Sequence, residues 1–234
     1  NDTTVIETFM ANTYVITGCN RGLGLEFARQ LVNRGDRVIG TARNLGDVKA
    51  DGVSGVKTYV LDVASDESVE CFRKAMSGQA IDVLINNAGV GVRSKPFESL
   101  DFDEMEEFFA TNTLGALRVF KALLPGLRLG SSKKVVNLTS KMGSIADNSS
   151  GGAYSYRVSK AGLNMATRSL AIDYRAEGFI CVAVHPGWVA TDMGGAGAPV
   201  TPEESISGML QVIDGLTPED SGEHIDFTGA RVPW

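Results

Sequence analysis

Thr17-Gly18-Cys19-Asn20-Arg21-Gly22-Leu23-Gly24 joins a short apolar run, Tyr14 to Thr17, to a stretch with Leu25, Ala28, Leu31 and Val32 at helical spacing that stops at Gly35. A strand, a glycine-rich turn and an amphipathic helix in that order open a dinucleotide-binding unit. The glycines let the backbone turn sharply and approach a diphosphate, and the helix N-terminus offers its unpaired N–H groups to that anion. Gly18, Asn20, Arg21, Gly22, Leu23 and Gly24 are therefore candidate cofactor-binding residues. A glycine turn alone can be a plain tight loop; the strand before it and the helix after it give this one its meaning.

The alternation continues along the chain. Apolar, β-branched runs predict further strands at Arg37 to Thr41, Lys57 to Leu61, Val83 to Ile85, Lys134 to Leu138, Phe179 to Val184 and His224 to Phe227. Between them lie helical stripes. Val69, Phe72 and Met76 follow a Ser65 cap with Asp66 and Glu67 in the first turn, and Thr201-Pro202-Glu203-Glu204 supplies a cap, a first-turn proline and a capping-box glutamate for a helix running towards Leu216. The expected fold is α/β, a Rossmann-type doubly wound sheet of about seven parallel strands with helices on both faces. Residues 13–234 form one domain in this reading, and residues 1–12 an N-terminal arm, native or an expression remnant.

Composition narrows the partners. The 234 residues, 43% of them hydrophobic, suffice for one large core without disulfides or a structural metal. A formal charge of -6 excludes the basic surfaces that nucleic acid or an anionic membrane would want, leaving a small molecule. No apolar run approaches the roughly 20 residues of a membrane span, and NDTTVIETF lacks the pattern of a secretion signal. Cys19, Cys71 and Cys181 are odd in number and widely spaced, with two histidines in the chain to share a metal, so no metal site and a reducing, cytoplasmic setting are expected.

The cofactor can be specified further. An acidic residue at the end of the second strand would hold the ribose hydroxyls of NAD, but this chain has Thr41-Ala42-Arg43 there. A guanidinium at Arg43, with Arg21 in the glycine turn, suits the 2′-phosphate of NADP(H); a solvated loop charge is the alternative for Arg43. Asp62-Val63 and Asn86-Asn87-Ala88-Gly89 follow the third and fourth strands, at the sheet edge where ligands bind. Asp62 has an equal alternative as a turn cap, whereas Asn87, Ala88 and Gly89 allow close backbone contact with a ligand.

Tyr156-Arg157-Val158-Ser159-Lys160 sets a phenol and an ammonium on one helical face. A neighbouring cation is expected to lower the phenol pKa towards an acid–base range. The spacing is common by chance and gains weight from Asn137-Leu138-Thr139-Ser140 at the end of the fifth strand, where a hydroxyl can polarise a carbonyl oxygen.

TGCNRGLG, NNAG, Asn112, Ser140, YRVSK and Pro186-Gly187, in this order, resemble the short-chain dehydrogenase/reductases over nearly the whole chain. NLTSKMGSI, DNSSGGAYSYR, HPGWVATDMGG and the final Trp234 are similar to the C-factor-like and sniffer-type carbonyl reductases within that family. The resemblance implies Tyr156 as proton donor, Lys160 lowering its pKa and binding the nicotinamide ribose, Ser140 polarising the substrate oxygen, and Asn112 holding a relay water. It implies nicotinamide contacts at Pro186, Gly187, Val189 and Thr191, and the adenosine side of the cleft at Asn86 to Gly89. Ser140 stands further before Tyr156 than in many members, so Ser144 is its rival. The activity implied is NADPH-dependent reduction of a ketone, aldehyde or quinone. A secondary-alcohol or 3-oxoacyl dehydrogenase/reductase, or a non-catalytic NAD(P)-binding signalling protein of C-factor type, stands as the alternative. A homodimer through helices near residues 102–127 and 154–177 is a further implication. Trp188 to Val200, rich in glycine, reads as a lid in preference to an ordinary surface loop; His185 reads as structural, and Cys19 as packing rather than redox-active.

Overall fold

The structure is a computed structural model describing residues 11–44, 53–91 and 95–234. The first ten residues of the expected N-terminal arm lie outside the described residues. Seven strands, β1 (Thr13–Ile16), β2 (Arg37–Ala42), β3 (Lys57–Val60), β4 (Val83–Asn86), β5 (Lys134–Leu138), β6 (Ile180–His185) and β7 (His224–Asp226), form one sheet in the order β3-β2-β1-β4-β5-β6-β7. Every pairing is parallel. The chain reverses direction across the sheet after β3, so the crevice of a doubly wound sheet opens between the ends of β1 and β4. The fold is the expected one.

Strand residues alternate between two apolar layers, as a sheet covered on both faces requires. Tyr14, Ile16, Val83, Ile85 and Val182 pack with Phe27 and Leu31 of α1 (Gly22–Asn33) and Ile206, Met209 and Ile213 of α6 (Pro202–Gly215). Val15, Ile39, Leu84, Val135 and Cys181 face Phe72 of α2 (Asp66–Ala75) and Val119, Leu123 and Leu127 of α4 (Gly115–Leu129). Each fully buried side chain of this size contributes about 1.5–3 kcal/mol of transfer free energy. The caps act as their sequence predicts. Ser65 accepts from the Ser68 N–H, and Thr201 with Glu204 completes a capping box around Pro202.

Two features were not visible in the periodicity. Helix α3 (Phe102–Phe109) runs into α4 through a π-helical turn, Ala110–Leu114, which adds a residue to the turn at the place where Asn112 sits. Helix α5 (Tyr154–Asp173) starts from Ala153 in the left-handed region, at φ 47° and ψ 43°, with no side-chain cap. Gly151 and Gly152 precede it with φ of 65° and 66°, so the loop enters α5 through three left-handed residues in a row.

Candidate active site

The glycine turn leaves the start of α1 without a side-chain cap. α2, α3 and α6 carry side-chain caps, but Arg21 at the start of α1 makes no capping bond and the first turn of α1 holds no acid. No side chain caps its first N–H groups, the groups a helix N-terminus can offer to an anion. Close approach within the turn depends on Gly24, where a Cβ would lie 2.1 Å from the Gly18 carbonyl oxygen and 2.5 Å from Asn87 Nδ2. Gly18, at φ 68°, and Gly22, at φ 54°, take conformations that side chains disfavour. Asn20 is half-buried, and Leu23 packs against the core beneath the turn.

Asn87 braces this cradle. Its Nδ2 donates to the carbonyls of Thr17 and Gly18, both at 2.8 Å, while the Asn87 and Ala88 N–H groups donate to Thr17 Oγ1 at 3.0 and 2.9 Å. Thr17 was missed in the sequence because it reads as the last residue of a strand. Gly89 lies where a Cβ would meet Asn112 Oδ1 at 3.0 Å and Lys160 Nζ at 3.8 Å, which brings the two halves of the candidate site together.

Other sequence candidates are placed more variously. Arg43 is exposed just beyond β2. Asp62 accepts from the Ala64 N–H at 3.0 Å, the turn-capping role, and Val63 turns its side chain into the core against Gly115. Cys19 is buried against Gly40, with its thiol pushed up to about 11 by desolvation, so it stays a protonated packing group. His185 is pushed down to about 4, chiefly by burial, and is neutral at ordinary pH.

The segment after β6 folds across the crevice. Gly187 takes φ 88°, Pro186 accepts through its carbonyl from Ser205 Oγ at 2.6 Å, and Val189 is buried and bridges to Val200. Thr191 packs at Gly22, Asp192 pairs with Arg21 at 3.2 Å, and Met193 covers Gly91. Trp188 ties the segment to itself through Nε1, which donates to the Gly194 carbonyl at 2.8 Å.

Tyr156 and Lys160 are both buried on one face of α5. Lys160 Nζ donates to the Leu138 carbonyl at 2.7 Å and lies 5.8 Å from the centre of the Tyr156 ring. Ser140 Oγ accepts from the Met142 N–H at 3.1 Å, and its hydroxyl acts on the Tyr156 phenol to lower its pKa. Ser144 instead accepts from the Asp147 N–H at 3.0 Å, bracing its own loop. Asn112 receives the Val90 N–H on Oδ1 at 2.8 Å and donates through Nδ2 to Ser159 Oγ at 3.0 Å. Ser159 Oγ in turn donates to the Tyr156 carbonyl at 2.8 Å. Ser159, hidden inside the YRVSK motif, is the link between Asn112 and the tyrosine that sequence reasoning did not single out.

The electrostatics correct one expectation. Burial raises the Tyr156 pKa, the Ser140 hydrogen bond opposing it only in part, whereas the sequence spacing predicted a lowering by Lys160. Desolvation of the phenol itself is the dominant cause, and burial likewise pushes Lys160 down to about 8. The phenol therefore carries its proton at neutral pH.

A parallel sheet in this order, with an uncapped glycine turn at its crevice and a buried Tyr–Ser–Lys cluster beside it, defines a nucleotide-fold oxidoreductase. Residues 12–199 match the short chain dehydrogenase family model, and the chain belongs to that family. It is 54% identical to the C-signal of Myxococcus xanthus over 154 residues, 66% of this chain and 93% of that protein. Among solved structures, the carbonyl reductase Sniffer of D. melanogaster superposes with a TM-score of 0.89 at 32% identity, covering 96% of this chain and 100% of that one. An NADPH-bound carbonyl reductase from chicken fatty liver superposes with a TM-score of 0.88 at 33% identity, covering 96% and 99%.

Proposed function

We propose that this chain reduces a carbonyl, in a ketone, aldehyde or quinone, to an alcohol with NADPH. The observation that carries the proposal is the Tyr156 phenol, buried on α5 with Lys160 Nζ 5.8 Å from its ring centre and kept protonated at neutral pH by that burial. Bound NADPH would supply the hydride. A carbonyl oxygen seated between Ser140 and Tyr156 would receive two donors as negative charge develops on it. Tyr156 gives up its proton to that oxygen, and the Lys160 ammonium stabilises the phenolate left behind. Asn112 fixes α5 through Ser159 and lies beside Gly89, the position from which a relay water would be held.

The residues fit the cofactor. Gly18, Asn20, Gly22, Leu23 and Gly24 would cradle the diphosphate, with Asn87 holding the turn in shape and Asp62, Val63, Ala88 and Gly89 lining the adenosine side. Pro186, Gly187, Val189 and Thr191 would meet the nicotinamide, and Tyr156 and Lys160 its ribose. Arg43 and Arg21 would take the 2′-phosphate, and the lack of an acid after β2 removes the group that would favour NADH. A Tyr156→Phe variant should still bind NADPH, weakened at most by the lost ribose contact, and lose carbonyl turnover by at least about a hundredfold, within the range for general acid catalysis. Near-full turnover by that variant would refute the mechanism.

A second reading, a non-catalytic NAD(P)-binding signalling protein, draws support from the identity to the C-signal. Stoichiometric protein mixed with NADPH and a panel of carbonyls separates the two: binding without any consumption of NADPH favours the signalling reading. We further propose a cytoplasmic homodimer. Cys19, Cys71 and Cys181 are all unpaired, as a reducing compartment would keep them, and among the described residues no helix is long and apolar enough to cross a membrane.

A further inference from the structure

We propose that Glu104 is a positioning residue: its buried carboxylate locks the first turn of α5, which carries Tyr156, to the segment that carries Phe97, and so sets the proton donor and one wall of the substrate cleft together. The catalytic half of this inference rests on the reductase reading of Tyr156.

Glu104 is the third residue of α3 and is 7% exposed. One carboxylate oxygen lies 2.9 Å from Lys95 Nζ and the other accepts from Ser155 Oγ at 3.2 Å. Lys95 stands two residues before Phe97, and Ser155 one residue before Tyr156. A third contact closes the same joint: the rings of Phe97 and Tyr154 meet edge to face with centroids 5.3 Å apart. Both rings are substantially exposed although each is large and apolar, which suits a wall facing a ligand more than a core.

Chemistry favours a carboxylate at this joint. α5 starts from a left-handed Ala153 that provides no side-chain cap, and its first turn contains no acid. A negative group brought to Ser155 from α3 meets the positive end of the α5 dipole. The same continuous helix grips α5 again where Asn112 donates to Ser159 and Thr113 Oγ1 donates to the Ser159 carbonyl at 2.7 Å. Ser155 precedes Tyr156 and Ser159 precedes Lys160, so each member of the candidate pair has its own anchor on the α3–α4 helix. Asn112 serves the lysine end and Glu104 the tyrosine end.

The two arms of Glu104 predict separable effects. In Glu104→Gln the amide oxygen still accepts from Ser155, but Lys95 loses its counter-charge and the Phe97 segment is released. Carbonyl KM should rise several-fold with kcat within twofold of the parent, and Lys95→Met should behave alike. Ser155→Ala should do the reverse, lowering kcat about tenfold at constant KM, in keeping with the cost of small misplacements of a reacting group. Glu104→Ala should combine both effects while the NADPH Kd stays within twofold. A second measurement needs no turnover: amide hydrogen exchange in the apoprotein should speed up in residues 95–101 for both Glu104 variants, and in residues 153–160 for Glu104→Ala and Ser155→Ala alone. Parent enzyme with no carbonyl turnover would sink the reductase reading and leave the exchange pattern to decide the joint. Unchanged exchange and kinetics in Glu104→Ala, or kcat and KM moving together in every variant along with NADPH affinity, would overturn the proposal.

Discussion

Lys160 carries a charge where water does not reach, and its stability consequences follow from that alone. Its ammonium titrates at about 8 in the folded chain against 10.5 for the unperturbed side chain. Between those values the unfolded chain holds a proton that the folded chain has shed, so this group makes the protein more stable as pH rises through the window. Below the window the folded protein bears the whole cost of the buried ammonium, about 3 kcal/mol from the size of the shift. Lys160→Met removes that cost, so relative to the parent it should be most stable below pH 8 and lose that advantage as pH rises towards 10.5. Urea denaturation of both proteins at pH 7 and pH 10 checks the sign; a stability difference that does not shrink with pH would contradict the burial argument. Turnover should be lost in the same variant, the mark of a residue retained against stability. Tyr156 and Lys160 were legible in sequence as a pair. The direction of the tyrosine shift was not, because spacing reports that two groups are neighbours and burial decides which of their interactions dominates.

Among the elements, the turn between β1 and α1 tolerates least change. A methyl group at Gly24 would sit 2.1 Å from a backbone oxygen that cannot move without unmaking the turn. Gly24→Ala should therefore cost about 1–3 kcal/mol in stability, as overpacking does, and abolish NADPH binding measured by fluorescence titration. Gly197→Ala in the segment after β6, where a Cβ meets nothing within 4 Å, is the control and should change neither. This turn could be read from sequence because its meaning is local, and the same holds for the seven strands and for the caps at Ser65 and Thr201, whose partners lie within a few residues. What escaped was settled by contacts between distant segments. The π turn at Ala110–Leu114 leaves the apolar pattern of α3 and α4 intact, Glu104 looks like any first-turn acid, and nothing near Asp192 foretells its pairing with Arg21.

At the scale of the whole molecule, one surface is at odds with an acidic monomer. Tyr156, Ser159, Lys160, Leu163, Asn164 and Thr167 turn inward from α5, yet Val158, Met165 and Ile172 remain 47%, 68% and 57% exposed. They recur every seventh residue, so they form one stripe along a helix of 20 residues, about 30 Å in length. Beside Val158 a shallow groove is lined by Met105, Phe109, Ala110 and Leu114, continuing the apolar surface onto the α3–α4 helix. A stable homodimer needs roughly 800 Å² from each partner, and the stripe with its flanking groove offers an apolar centre for such a face. The proposed dimer would set α5 of one protomer beside α5 of the other. Sedimentation velocity at micromolar concentration should give a species of twice the 24.8 kDa chain mass, and Met165→Glu, which buries a charge at the centre of that stripe, should halve it. Because Met165 faces away from Tyr156 and Lys160, the monomeric variant should still bind NADPH. A parent protein that sediments as a monomer, or a Met165→Glu dimer, would leave the stripe without this partner.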